Sequence, residues 1–275
     1  MFYLILAIMC SSIISITMRF SEKYVENQMG MFMANYIVCT MLSYAFMNSL
    51  SLSVSSVTFS LGVVSGILYL VSFVYLKMNM KYNGIVLSST FMKLGVLIPT
   101  LMAIAVFKES PSWTQVLGIV LSIMAIILIL FEKDSIHEGN KKIWLLVLLV
   151  ISGISDSTAN IFDKIGSGDE RDMYLLLTFF FAFLLSMILA IVGKKKITSK
   201  DILFGCIIGI PNYFSARFLL LALGSIPAVL VYPMYSVATI VVISLSGVLL
   251  FHETISHKKK LALCLILVAM GLLNI

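Results

Sequence analysis

The chain has 275 residues, 60% of them hydrophobic and 12% charged, with a mean hydropathy of +1.08. Soluble domains carry about 25% charged residues, so a water-soluble domain is excluded for want of polar side chains to cover its surface. The formal charge of +6 would suggest nucleic acid in a soluble protein; here the lysines cluster between apolar runs, which points to a lipid bilayer as the partner and to no nucleic acid.

A helix crossing the hydrocarbon core needs about 20 mostly apolar residues. The first such run, 2–20, lacks the basic n-region and small-x-small cleavage site of a signal peptide and reads as a retained span. Runs at 30–48, 59–77, 84–107 and 113–131 follow. The polar segment FEKDSIHEGNKK then divides the chain, and runs at 143–163, 173–192, 202–223, 226–251 and 257–275 complete a set of ten. No connection is long enough to fold alone, so any activity must be built from the helices. Cys10, Cys39, Cys206 and Cys264 all lie inside apolar runs, without metal or disulfide spacing, and read as small buried residues.

The two halves repeat. With an offset of 144, Phe107, Glu109 and Ser112 in AVFKESPSW fall on Phe251, Glu253 and Ser256 in LLFHETISH, and Tyr69 falls on Tyr213. Near the start of each half the offset is 141, pairing Thr17 with Thr158 and Lys23 with Lys164. Gly62-x-x-x-Gly66 and Gly205-x-x-x-Gly209 open the third and eighth spans, a spacing that lets helices approach closely. Residues 1–135 and 136–275 therefore read as two five-span repeats. Because five is odd, the second enters from the opposite side of the membrane, the inverted construction of many secondary transporters. The fold expected is an all-α membrane protein with ten transmembrane helices in two inverted repeats. Fourteen of the nineteen Lys and Arg residues fall in the connections after odd-numbered spans, which places those connections in the cytoplasm and both termini outside.

The paired FKESPS and FHETIS motifs, each before the last span of a five-span half, resemble the EamA-type transporters of the drug/metabolite transporter superfamily. The resemblance covers nearly the whole chain. It implies export of small polar metabolites, amino acids or drugs through a central cavity, and termini inside, the reverse of the charge count. Small multidrug-resistance relatives depend on a glutamate in the first helix. Here that helix offers Ser11, Ser12, Ser15 and Thr17 and no acid, which speaks against proton-coupled export of cationic drugs.

A charge at mid-bilayer costs about 2.5–3.5 kcal/mol on insertion scales, so ionisable residues inside spans mark cavities or internal partners. Lys93 lies centrally in the fourth span and suits a substrate carboxylate or phosphate, or pairing with a carboxylate. Asp156, with Asn160 one turn on, suits a substrate amine, a coupling proton, or pairing with Lys93. Arg217, near Asn212 and Tyr213, suits a bidentate grip on an anion or an anchor at the interface. Tyr69, Tyr213, Tyr232 and Tyr235 are candidate cavity walls. Pro99 and Pro233 are candidate hinges, since proline frees backbone carbonyls inside a helix.

These residues predict a secondary transporter, a probable exporter, of a small polar metabolite such as an amino acid or organic anion, working by alternating access. Nucleotide-sugar or lipid-linked substrates, organic-cation drugs, and lipid-modifying enzymology are the alternatives. The last would need clustered carboxylates for metal; Asp169, Glu170 and Asp172 are interleaved with Arg171 and read as a solvated loop. No nucleotide loop or hydrolase motif occurs, so neither enzyme activity, cofactor nor bound metal is expected. The partners expected are a small-molecule substrate and lipid, with the chain a monomer or homodimer.

Overall fold

Each run is apolar around most of its circumference, and in lipid only a helix or a closed barrel satisfies the backbone internally. In the computed structural model the chain is helical, with no strand among the described residues, which are 1–47, 54–99, 101, 112–130, 143–223, 228–253 and 256–272. Nine α-helices occur there: α1 (Phe2–Phe20), α2 (Gln28–Ala45), α3 (Ser56–Leu94), α4 (Trp113–Leu130), α5 (Ile143–Ile165), α6 (Arg171–Val192), α7 (Ser199–Leu223), α8 (Ala228–Phe251) and α9 (His257–Leu272). Among the described residues, six helical segments are long and apolar enough to cross a membrane, and Trp113–Ala125 and Lys260–Ala269 are shorter apolar helices.

Among the described residues the ten expected helices are not all separate, for an identifiable reason. The third and fourth predicted spans fall in one element, α3, broken at Gly84 (φ 78, ψ 169). That conformation belongs almost only to glycine. The contacts of α3 with α5 reverse order there. Before the break, Ser65 meets Thr158 and Asn79 bonds the Trp144 carbonyl. After it, Ser152 bonds the Met92 carbonyl, and Gly95 packs against Gly153. The chain therefore runs down α5 and turns back along it.

Glu253 holds this turn. Its carboxylate accepts from the Ile85 and Val86 N–H groups at 2.7 and 3.3 Å, capping the restarted helix. It reaches that position because His252 adopts a left-handed φ of 50° after α8, and the Glu253 N–H closes onto the Gly247 carbonyl. The glutamate of the second repeated motif thus caps a helix distant in sequence, rather than α9, whose start it precedes. Glu109 lies outside the described residues.

Two further carboxylates fasten helix starts to distant loops. Asp201, fully buried at the start of α7, accepts from the N–H groups of Glu26, Asn27 and Thr198. Glu170 accepts from the N–H and hydroxyl of Ser55 and from the Thr58 hydroxyl at the start of α3. A helix start carries unsatisfied N–H groups and a positive dipole end, so a carboxylate is the natural partner.

The helices pack α1 on α7 and α5 on α3, α2 on α7 and α6 on α3, α2 on α6, and α4 on α9. The two glycine pairs make two of these seams. A Cβ on Gly66 would lie 2.6 Å from the Thr178 carbonyl of α6, and one on Gly205 2.3 Å from the Met31 carbonyl of α2. Their role is close packing.

Gly84→Ala should lower stability by about 1–3 kcal/mol from backbone strain alone. The new Cβ would also lie 2.6 Å from the Glu253 carboxylate. Gly168→Ala, which meets nothing within 4 Å, is the neutral control. Melting in detergent checks both: a Gly84→Ala protein as stable as the parent would contradict the strained turn.

Candidate functional site

Small polar side chains one turn apart recur inside these apolar helices: Ser11 and Ser15 on α1, Ser89 and Lys93 on α3, Ser152 and Asp156 on α5. At i, i+4 they share a helix face. The fold turns these faces toward one another around a cavity of about 100 Å³. Tyr69 and Ser72 from the first arm of α3, Asn212 and Ser215 from α7, and Tyr235 and Ser236 from α8 complete its polar lining, with Ile14, Leu76, Met92 and Leu219 among its apolar walls.

The two charged residues of the lining, both half-buried, have different surroundings. The Lys93 ammonium stands 3.9 Å from the ring centroid of Tyr235, so the aromatic face offsets part of its desolvation. The Tyr235 hydroxyl lies 3.2 Å from Ser215 Oγ, which ties the ring to α7. Asp156 feels the Lys93 charge, yet no ion pair within 4 Å joins them among the described residues. The hydroxyls of Ser72 and Ser89 are buried without a hydrogen-bond partner among the described residues.

Of the residues singled out in the sequence, the structure brings Lys93, Asp156, Tyr69 and Tyr235 together at the cavity. It places Arg217 and Tyr213 elsewhere. Arg217 donates to the Tyr213 hydroxyl at 2.7 Å, lies 3.4 Å from Asp172 and stands over the Phe46 ring. Tyr213 is fully buried, and Phe179 lies between it and its repeat counterpart Tyr69, with centroids 6.4 and 5.8 Å away. The two tyrosines thus flank one phenylalanine instead of forming two cavity walls. Asn160 is half-buried on α5 and Pro99 is buried beyond Gly95; neither lines the cavity. The side chains of Tyr232 and Pro233 lie outside the described residues. The serines of α3, α7 and α8 were passed over in the sequence because single hydroxyls are common in membrane helices. For Ser89, the i, i+4 spacing from Lys93 was the available signal.

Residues 177–266, from within α6 through most of α9, match the family model described as Small Multidrug Resistance protein. A protein of Haemophilus influenzae, described as uncharacterized, is 24% identical over 279 residues, spanning 94% of this chain and 93% of that protein. A solved crystal structure shares the fold with a TM-score of 0.66, at 12% identity, over 98% of this chain and 94% of that chain. With six long apolar helices and a match to a transporter family, the chain is a multi-pass integral membrane protein with the character of a small-substrate transporter.

Tyr235→Phe should cost about 0.5–1.5 kcal/mol for one hydrogen bond. Tyr235→Leu also removes the aromatic face under Lys93 and should cost about 0.5–2 kcal/mol more. Paired denaturation measurements check the order; equal losses would mean that the ring contributes nothing to holding the lysine.

Proposed function

We propose that this protein is a secondary transporter, an exporter, of a small polar metabolite such as an amino acid or organic anion, working by alternating access of the central cavity. The observation that carries the reading is the pair Lys93 and Asp156, facing one cavity among the membrane-spanning helices without an ion pair to each other. Two unneutralised charges in that position are costly, and a zwitterion offsets both, its carboxylate on Lys93 and its amine on Asp156. The partnerless Ser72 and Ser89 hydroxyls supply further hydrogen bonds. A cavity of about 100 Å³ favours a small solute over a nucleotide sugar or lipid-linked substrate.

The same reading makes the chain an EamA-type member of the drug/metabolite transporter superfamily, with inverted repeats at 1–135 and 136–275. Helix packing supports this, because the most extensive helix pairs map onto one another when the halves are exchanged. Under that exchange α1–α7 becomes α5–α3, α2–α7 becomes α6–α3, and α2–α6 and α4–α9 map onto themselves. The distribution of Lys and Arg favours a cytoplasmic location for the Arg19 end of α1. The family match and the membrane-helical architecture favour transport over enzymology.

Organic-cation export is a second reading, favoured by the Small Multidrug Resistance match and by Asp156 in the cavity. A thermal-shift screen of purified protein separates the two. A bound solute at 100 times its Kd stabilises by about 2.7 kcal/mol. An amino acid should stabilise the parent and Arg217→Ala, but neither Lys93→Ala nor Asp156→Asn. A drug-like cation should need Asp156 and tolerate Lys93→Ala. The best ligand is then followed into proteoliposomes; binding that survives both cavity substitutions would remove the site.

A further inference from the structure

Four helical segments lead down from the cavity. On α1, Ile14 and Ser15 line the cavity, Met18 is fully buried one turn below, and Arg19 follows. On the first arm of α3, Leu76 lines it and Met80 is fully buried below. On the second arm, Ser89 lines it and Ile85 and Val86 are buried below. On α8, Ser236 lines it, Ile243 is buried, and Glu253 lies past the helix end. An apolar layer of one core, Met18, Met80, Ile85, Val86 and Ile243, thus separates the cavity from a charged layer.

Arg19 is the hub of that charged layer. Its guanidinium donates to Glu22 and, at 2.8 Å, to the Met80 carbonyl, both in the first half of the chain. It also lies 3.7 Å from Glu253, in the second half. Glu253 meanwhile caps the restarted arm of α3. One arginine therefore joins the end of α1, the turn of α3 and the end of α8 across the mouth of the apolar layer.

We propose that the Arg19–Glu253 bridge is a latch that closes the cavity toward this end, and that opening toward this end requires Arg19 to release Glu253. Release does not orphan the guanidinium, because Glu22 and the Met80 carbonyl, both before the Gly84 break, stay with it. It does not orphan Glu253 either, which keeps the Ile85 and Val86 N–H groups. The latch thus has a partner set for each state, as a bistable contact needs. Closure in this sense rests on the alternating-access reading.

The test uses the full-length chain with its four cysteines replaced and Ser15→Cys as a reporter within the cavity. Lys196→Cys, exposed at the Arg19 end, identifies that side of the vesicle. A membrane-impermeant maleimide is added from each side in turn. An exposed or partly exposed ion pair is worth about 0.2–1 kcal/mol, so Arg19→Gln should raise Ser15→Cys labelling from the Arg19 side by up to about fivefold. Glu253→Gln should do the same while keeping an oxygen for the cap, and Arg19→Lys should lie between. If neither glutamine variant, folded by size exclusion and melting, raises labelling from that side, the latch is overturned. If Arg19→Gln does not fold, Glu253→Gln decides alone. Labelling needs no solute, so failure of every transport assay would leave this result standing, and failure of the latch would leave the solute site untouched.

Discussion

Lipid offers no hydrogen bonds, so each backbone N–H and each charge within the bilayer must be satisfied by the protein itself. The joints of this molecule follow from that requirement. At three of its helix starts a carboxylate from elsewhere meets the free N–H groups, their capping residues or the adjoining loop: Glu253 at Ile85, Glu170 at Ser55, and Asp201 toward the loop before α2. Each such bond satisfies a local need and ties distant parts of the chain. Secondary structure and tertiary connection are thereby fixed by the same few acids, in a chain with only thirteen of them.

The same requirement governs the cavity in the opposite sense. Lys93 has an aromatic face and Asp156 a distant cation, while Ser72 and Ser89 have no partner among the described residues. The carboxylates at those three joints are bonded, and these two cavity hydroxyls are not. That contrast separates polar groups that hold the protein together from those left open on the cavity wall. It explains why Arg217 belongs with the former: Tyr213, Asp172 and Phe46 already occupy its donors and its face.

Most of the architecture was legible in the sequence because hydropathy and glycine spacing report on lipid and packing directly. The apolar runs correspond to helices, and Gly62, Gly66, Gly205 and Gly209 do sit where helices touch. The site was legible in part. Lys93 and Asp156 stood out because charge is rare at that depth, and Tyr69 and Tyr235 fell where expected. Arg217 did not, since sequence shows that a charge is buried but not whether a neighbour such as Asp172, forty-five residues away, has already met it. Nor could it show that Glu253 reaches Ile85. That depends on a left-handed residue at His252 and on the reversal at Gly84, both of them single backbone conformations with no periodic signature.

The glycine seams carry a mechanical consequence. With backbone against backbone at Gly66 and Gly205, lengthwise sliding of α3 on α6, or of α7 on α2, would drive bulkier residues into carbonyl groups. Those four helices, joined through α2 and α6, form a frame whose internal degrees of freedom are spent. Outside that frame, α1, α8 and the arm of α3 beyond Gly84 make no glycine seam with it among the described residues, and that arm joins the frame through the single backbone turn at Gly84.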